Sequence, residues 1–234
     1  MTESDWIPSP TSGALQVQGL RKKIGSFILD AEFTIESAQR AVLFGASGSG
    51  KTTLLRILAG VEPMSPKTDA GRVTLAREDI TFQAPRLRQI GVVFQDCALF
   101  PQCSVLQNAV FALRMRGVPR EAREALGLQW LERVDLKSYA HKGIEHLSGG
   151  EKQRLAFVRA LIWKPRLLLL DEPFSALDIK MRNELRKQLL NLHQVCEVPL
   201  LLVTHDELDL ERIGTFELRL SSDKNSPIRV VRRG

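Results

Sequence analysis

The chain lacks any apolar run close to the roughly 20 residues that a membrane-spanning helix needs. Its longest aliphatic run, around Leu167–Leu170, has only the length of a strand. Residues 1–13 have no basic segment ahead of an apolar one, so they do not resemble a signal peptide. We therefore expect no membrane span, and a flexible N-terminal extension over residues 1–14.

Cysteine is also scarce. The three thiols, Cys97, Cys103 and Cys196, are odd in number and show no metal-ligand spacing, which favours reduced cysteines in a cytosolic protein. The net charge of +6 comes from scattered basic residues, a distribution more typical of a solvated surface than of a nucleic-acid-binding patch. Internal repeats and low-complexity segments are absent from the sequence.

What the sequence does contain is a segment that fits the pattern G-x-x-x-x-G-K-[ST] without mismatch. An apolar run typical of a buried strand, Ala41–Phe44, precedes it, and a helical apolar pattern runs from Thr52 to Ala59 after it. These flanks argue against a simple Gly/Ser linker. The predicted nucleotide-binding residues of this segment are Gly45, Ala46, Ser47, Gly48, Ser49, Gly50, Lys51, Thr52 and Thr53.

The chemistry of the segment favours a nucleoside triphosphate. Glycines let successive backbone N–H groups point at phosphate oxygens, and the positive end of the following helix adds to that field. Lys51 can reach the β- and γ-phosphates, while the Thr52 hydroxyl can hold Mg²⁺. The segment therefore predicts a phosphate-binding loop.

A second group of candidate residues follows the aliphatic run Leu167–Leu170, which leads directly into Asp171, Glu172 and Pro173. Parallel strands present catalytic groups at their carboxyl ends. Asp171 is expected to hold Mg²⁺ opposite Thr52, and Glu172 is expected to polarise the attacking water. The alternative is an ordinary strand followed by a solvated acidic turn, which the phosphate-binding loop upstream makes the weaker interpretation.

A third group, within Leu147–Arg154, opens a predicted helix that continues to Trp163. Ser148, Gly149 and Gly150 form a second helix N-terminus able to bind an anion. Two such ends for one nucleotide would be redundant within a single copy. The pattern therefore predicts that Ser148 and Gly150 contact the γ-phosphate held by a second copy of the chain; a plain helix cap is the alternative.

The remaining pattern changes along the chain. Alternating apolar residues predict antiparallel strands over Leu15–Leu20 and Phe27–Ile35, and residues 96–163 are mostly helical in pattern. Within that helical part, Pro119 is predicted to divide two helices spanning Ser104–Tyr139. After Pro165 the α/β pattern returns, and two edge strands are predicted in the tail between Thr215 and Val231.

Together these segments resemble an ATP-binding cassette (ABC) ATPase over about residues 15–220. The elements occur in the order expected for that family: the phosphate-binding loop, Gln95, Leu147–Arg154, Leu167–Glu172, Ser175–Asp178 and His205. The resemblance implies an α/β fold with a P-loop NTPase core, an antiparallel β subdomain and an inserted α-helical subdomain at about residues 96–163. It implies one ABC ATPase domain over residues 15–234 and no C-terminal regulatory domain.

The resemblance also implies roles for further residues. Gln95 would contact Mg²⁺ and sense the attacking water, and His205 would contact the γ-phosphate beside Glu172, so Glu172, His205 and Gln95 are the predicted catalytic residues. Asp178 would contact the nucleotide region of the opposite subunit. The position where the family often has an adenine-stacking aromatic residue holds Ile24, with Phe27 as the other candidate.

The implied function is an ATP-hydrolysing subunit of a bacterial importer, similar to those for molybdate, sulfate, polyamines or iron. An oxyanion such as molybdate is the expected cargo. The expected cofactors are ATP and Mg²⁺. Expected partners are membrane permease subunits at the cytoplasmic face of the membrane, a second copy in a head-to-tail dimer and, indirectly, an extracytoplasmic solute-binding protein. The alternatives are an exporter subunit, or a soluble ABC ATPase acting on nucleic acid or the ribosome, although no nucleic-acid partner is expected.

Overall fold

The structure, a computed structural model, describes residues 13–25, 27–45, 48–221 and 228–233. The strands of these residues form one ten-stranded sheet. They are β1 (Leu15–Ile24), β2 (Phe27–Ile35), β3 (Arg40–Phe44), β4 (Ala70–Leu75), β5 (Glu78–Asp79), β6 (Ile90–Val93), β7 (Leu167–Asp171), β8 (Leu200–Thr204), β9 (Phe216–Ser221) and β10 (Ile228–Arg233).

The same described residues form α-helices of very different length. They are α1 (Lys51–Ala59), α2 (Pro85–Arg88), α3 (Val105–Ala109), α4 (Phe111–Met115), α5 (Arg120–Glu132), α6 (Gly149–Leu161), α7 (Ile179–Cys196) and α8 (Glu207–Ile213). Within the described ranges, no helix combines the length and the apolar character that crossing a membrane requires.

The sheet combines antiparallel and parallel pairing in the order β5-β4-β1-β2-β10-β9-β3-β8-β7-β6. Strand β1 pairs antiparallel with β2 and β4, whereas β3, β7, β8 and β9 are joined by parallel pairs. All residues of β7 and β8 are buried, which explains their continuous aliphatic sequences. Phe44 pairs with Thr204, and Asp171 pairs with Val203, so three parallel strands end at the same edge of the sheet.

The prediction that the tail adds two edge strands is wrong in one respect. The two strands exist, but β9 pairs with β3, and β10 pairs with β2 and β9, so both lie in the interior of the sheet. The edge positions belong to β5 and β6. Alternation of apolar and polar residues, as in β9 with its buried Phe216 and Leu218, shows which face is buried but not which strand lies alongside.

The prediction of two helices over Ser104–Tyr139 is also wrong. A break at Val110 divides the first of them into α3 and α4, while α5 begins after Pro119 as expected. Apolar periodicity does not reveal the break, because Ala109, Val110 and Leu113, which lie around it, are all buried. A Cβ atom at Gly127 of α5 would lie 2.4 Å from the Val110 side chain, so the glycine permits close packing at the break.

The chain divides into two compact units. The sheet unit contains the described residues up to Val92, Arg166–Glu172 and those from Glu197 onwards; the helical unit contains Val93–Pro165 and Pro173–Cys196. The helical unit thus includes α7 in addition to the central helices α3–α6. The subdomain boundaries at 96 and 163 stay a prediction, and the predicted extension over residues 1–14 lies almost entirely outside the described residues.

Arg88 is a charged residue in the interior of the sheet unit, and only 2% of its surface is exposed. Its guanidinium donates hydrogen bonds to the carbonyls of Ile57 and Leu58 at 2.8 Å each, in the last turn of α1. It also donates to the carbonyls of Thr81 and Gln83 at 3.1 and 2.9 Å. Burial lowers the pKa of Arg88, while the negative end of the α1 dipole stabilises its charge. The residue holds the end of α1 against the segment that leads to β6.

Replacing Arg88 with Met should lower the free energy of unfolding by about 3–5 kcal/mol, because four carbonyl groups in the interior would each lose one hydrogen bond. Arg88→Lys should lose less, since its ammonium keeps the charge and some of the bonds. Urea unfolding measures the effect. Arg86→Met, an exposed neighbour in α2, is the matched control, and an equal effect of both Met variants would contradict this role.

Candidate functional site

The predicted phosphate-binding loop connects β3 to α1 at one edge of the sheet. Gly45 follows β3, and Gly50 is the N-cap of α1 with a φ of 94°. Gly48 also has a left-handed φ, of 77°, which glycine adopts without a steric penalty. Gly50 provides no side-chain cap for the helix. Ala46 and Ser47 lie outside the described residues.

Lys51 is almost fully buried at the start of α1, with 4% of its surface exposed. Its Nζ donates a hydrogen bond to the Gly45 carbonyl at 2.8 Å. Burial lowers the pKa of Lys51, and the nearby carboxylates of Glu172 and Asp171 oppose that shift. A cation held in this way can stabilise an anionic ligand strongly, because little water screens it.

The surroundings of Ser49 indicate whether the loop can bind a phosphate group. Its buried Oγ has no hydrogen-bond partner among the described residues. A buried hydroxyl without a partner is costly, and a phosphate oxygen would supply the missing acceptor. Gly45 lies alongside, since a Cβ there would be 3.0 Å from that Oγ. The residues present therefore fit a phosphate group. Thr53 follows in the first turn of α1 and is half-buried.

Thr52 and Asp171 meet across the same edge. The Thr52 hydroxyl donates a hydrogen bond to Asp171 Oδ1 at 3.0 Å, and Asp171, the last residue of β7, is buried. Burial is the main reason that the pKa of Asp171 is raised, and the Thr52 hydrogen bond opposes it. A hydroxyl and a carboxylate at this distance are the oxygen ligands that Mg²⁺ uses beside phosphates, so the pair fits that ion.

Glu172 and His205 form the second pair of the sheet unit, with Glu172 Oε2 3.3 Å from His205 Nδ1. Glu172 has a left-handed φ of 45°, and its N–H donates to the Val203 carbonyl at 2.9 Å. Such strain in a non-glycine residue is often found at functional sites. His205 follows β8, and its side chain is 55% exposed.

The turn that carries His205 is held by short polar side chains. The Thr204 hydroxyl accepts a hydrogen bond from the Asp206 N–H at 3.0 Å and donates one to Asp209 at 2.5 Å. Asp206 in turn caps α8, accepting from the Leu208 N–H at 2.9 Å. The backbone on both sides of His205 is thus fixed, while its imidazole faces solvent.

Other predicted site residues belong to the helical unit. Gln95 is exposed in the turn after β6. Asp178 is exposed, and its Oδ1 accepts a hydrogen bond from the Met181 N–H at 2.9 Å in the first turn of α7. The guanidinium of Arg182 donates to the carbonyls of Leu177 and Ser175 at 2.8 and 3.1 Å. Arg182, which sequence reasoning missed, therefore orders the segment that carries Asp178.

Ser148 is exposed and forms a capping box at the start of α6. Its Oγ donates to Glu151 Oε2 at 2.7 Å, and its N–H donates to the same oxygen at 2.8 Å. These hydrogen bonds lower the pKa of Glu151. An anion that binds Ser148 must therefore compete with Glu151. Sequence reasoning missed Glu151, although the S-x-x-E spacing from Ser148 could have identified it.

Gly149 and Gly150, the two glycines that follow Ser148, differ in their surroundings. A Cβ at Gly149 would have only an ordinary contact, 3.6 Å from Leu177, whereas a Cβ at Gly150 would lie 2.5 Å from the Met181 Sδ of α7. Gly150 is buried and Gly149 is exposed. Gly150 thus allows α6 and α7 to pack closely within the helical unit.

The structure therefore gathers one set of predicted residues at the carboxyl ends of β3, β7 and β8: the described part of the loop Gly45–Thr52, with Asp171, Glu172 and His205. A second set, Gln95, Ser148–Gly150 and Asp178, lies in the helical unit. Ile24 and Phe27 pair across the β1–β2 hairpin and are both half-buried against the core. Their adenine-stacking role stays a prediction.

Comparison with known proteins places these residues in context. The family model described as ABC transporter matches residues 28–175. The sulfate/thiosulfate import ATP-binding protein CysA of Bordetella pertussis is 46% identical over 200 residues, covering 83% of this chain and 55% of that protein. Its namesake in Synechococcus elongatus is 42% identical over 203 residues, covering 86% of this chain and 58% of that protein. The chain thus spans little more than half the length of these relatives.

Adding a methyl group at Gly149 and at Gly150 should separate the roles of these two glycines. Gly149→Ala should raise the free energy of unfolding by about 0.5–1 kcal/mol, because alanine has less backbone freedom than glycine in the unfolded chain. Gly150→Ala should lower it by about 1–2 kcal/mol, because Met181 must move. Met181→Ala should cost less in the Gly150→Ala background than alone. Urea unfolding checks this; equal effects at both glycines would contradict it.

Proposed function

The chain belongs to the ABC transporter family, and from that premise we propose that it binds and hydrolyses ATP to energise an importer. The observation that carries the proposal is the cluster of Lys51, the Thr52–Asp171 pair and the Glu172–His205 pair at one edge of the sheet. Phosphate binding, metal binding and activation of water each have a residue of suitable chemistry there.

Binding of the triphosphate relies on the loop and the first turn of α1. Backbone N–H groups of the loop and the Ser49 hydroxyl donate to phosphate oxygens, and Lys51 exchanges its bond with the Gly45 carbonyl for the β- and γ-phosphates. Thr52 and Asp171 hold Mg²⁺, which when bound neutralises charge on the phosphates. Gln95 is proposed to complete the metal site and to sense the attacking water.

Hydrolysis requires a group that accepts a proton from water. We assign that role to Glu172. Its left-handed backbone and the 3.3 Å contact between its carboxylate and His205 Nδ1 orient the carboxylate. His205 holds the carboxylate and contacts the γ-phosphate. Its largely exposed imidazole is available to a ligand at the edge of the sheet.

The second set of residues supports a dimer. Ser148, Gly149 and Gly150 form a helix N-terminus, and Asp178 is exposed on the same helical unit. In the proposed head-to-tail dimer, these groups contact the nucleotide held by the loop of a second copy. When the phosphate binds, the Ser148 hydroxyl donates its hydrogen bond to a phosphate oxygen instead of to Glu151. Each nucleotide is then held between two chains.

The transport role draws on the relatives, whose names describe sulfate and thiosulfate import. We propose that this chain drives import of a tetrahedral oxyanion, with sulfate or thiosulfate as first candidates and molybdate as the sequence-based one. Membrane permease subunits would bind this chain at the cytoplasmic face of the membrane and use the energy of ATP hydrolysis for transport. An extracytoplasmic solute-binding protein would deliver the cargo to them. An exporter or a soluble nucleic-acid-associated ATPase is less well supported, because the relatives reported above are named as importers.

Replacing Glu172 with Gln should reduce ATP turnover by roughly 10²–10⁴-fold, because the general base is removed. Binding of ATP should persist, since Lys51 and Thr52 are untouched, and Mg-ATP should trap a dimer. Phosphate release, equilibrium binding and light scattering measure the three quantities. Glu211→Gln, at an exposed position in α8, is the control and should behave as the unmodified chain. Normal hydrolysis by the Glu172 variant would refute this mechanism.

The cargo is tested separately in vesicles that contain the chain, its permease subunits and the solute-binding protein. ATP-dependent uptake of labelled sulfate should occur, and thiosulfate or molybdate should compete, whereas a neutral sugar should not. Vesicles that contain the Glu172→Gln variant should show no ATP-dependent uptake. Hydrolysis without uptake of any of these oxyanions would contradict the cargo assignment and leave the ATPase assignment standing.

A further inference from the structure

The turn that follows Gln95 has an unusual backbone. Cys97 and Ala98 are consecutive non-glycine residues with left-handed φ values of 59° and 44°. Only part of the turn is closed by its own backbone, through the Cys97 N–H and the Phe94 carbonyl at 3.0 Å. A conformation of this kind persists only where the surroundings hold it. Groups of the helical unit hold the turn in this conformation.

Arg159 of α6 is the principal group. One of its guanidinium nitrogens donates to the Ala98 carbonyl and the other to the Cys97 carbonyl, both at 2.6 Å. The guanidinium also lies over the Phe100 ring, 5.5 Å from its centre. A planar fork that binds two successive carbonyls restrains direction as well as distance, which a lysine ammonium does less well.

Gln153, which precedes Arg159 on α6, makes a second connection. It is 3% exposed, and its Oε1 accepts a hydrogen bond from the Cys97 thiol at 2.7 Å. Both Gln153 and Arg159 therefore anchor the same residue of the turn. The helix that supplies these anchors, α6, is the one that Ser148 caps.

The other half of the loop is anchored independently. Asn108 of α3 is fully buried; its Oδ1 accepts from the Phe100 N–H at 2.8 Å, and its Nδ2 donates to the carbonyls of Phe100 and Cys103 at 3.0 and 3.2 Å. The loop after Gln95 is thus fixed at two points, and the point nearer to Gln95 is the contact with Arg159.

We propose that Arg159 is a positioning residue that holds Gln95 through the Cys97–Ala98 turn. Through this contact, Gln95 and the turn move together with α6, the helix that Ser148 caps. This role rests on the proposed ATPase function. A displacement of α6 that brings Ser148 to a nucleotide would be transmitted to Gln95 through the guanidinium. Arg159 itself touches neither nucleotide nor metal in this role.

The kinetic test compares Arg159→Gln, Arg159→Lys and Arg116→Gln in the full chain. Arg116 is the matched control, because its guanidinium also lies over an aromatic ring of the helical unit, Trp163 at 4.2 Å, but does not hold the turn. Arg159→Gln should lower kcat by roughly 10–100-fold, as for other residues that orient a metal or catalytic group, with little change in KM for ATP. It should also raise the Mg²⁺ concentration for half-maximal rate, and Arg159→Lys should recover part of kcat.

A second readout needs no hydrolysis. Cys97 is a built-in reporter, because burial raises the pKa of its half-buried thiol to about 11 and the Arg159 charge opposes this to a smaller extent. Release of the turn should therefore speed the reaction with a maleimide by more than loss of the Arg159 charge slows it. Labelling is followed in a Cys103→Ser, Cys196→Ala background by mass spectrometry. Arg159→Gln should accelerate labelling, whereas Arg116→Gln should not.

The outcomes separate the two hypotheses. Unchanged labelling in Arg159→Gln, or equal acceleration in Arg116→Gln, would overturn the anchoring role, as would a kcat equal to that of the unmodified chain. If no form of the chain hydrolyses ATP, the proposed function fails, but the labelling comparison still decides whether Arg159 holds the turn.

Discussion

The parallel pairing of β3, β7 and β8 is the constraint on which the arrangement of the sheet unit depends. Their register aligns Phe44 with Thr204 and Asp171 with Val203, so the residues that follow each strand emerge at one edge. The strands are buried on both faces, which leaves their ends as the place where polar groups can reach a ligand. The Thr52–Asp171 hydrogen bond then ties α1 to the end of β7.

Burial gives this edge its electrostatic character. It lowers the pKa of Lys51 and raises that of Asp171, so each group is held where its charged form lacks water. The two groups compensate one another in part, and a metal–phosphate ligand would compensate them further. Glu172 adds backbone strain at the same point. Such costs are characteristic of sites shaped for a ligand rather than for stability alone.

Arginine side chains that bind carbonyl groups recur through both units. Arg88 holds the end of α1, Arg182 holds the segment before Asp178, and Arg159 holds the turn after Gln95. In each case a guanidinium fork restrains backbone that is not held by regular secondary structure alone. Two of these arginines, Arg159 and Arg182, thus restrain the segments next to the predicted site residues Gln95 and Asp178.

The sequence by itself determined the elements whose signal is local. The loop Gly45–Thr52 has its full motif, the four leucines of β7 lead directly into Asp171, and Gly50 and Gly60 bound α1, so the α/β class and the identity of the candidate residues were readable. The roles of those residues, and the adenine contact at Ile24 or Phe27, stay predictions. The break at Val110 had no local signal, because apolar periodicity continues through it.

Only the tertiary structure decided the matters that depend on long-range contact. The interior position of β9 and β10, the burial of Arg88 and the hold of Arg159 on Cys97 and Ala98 join residues far apart in the chain. A residue-by-residue pattern records which face of an element is apolar, but not which partner covers it. That choice is made by the packing of the whole chain, since strand order and carbonyl acceptors are properties of the fold.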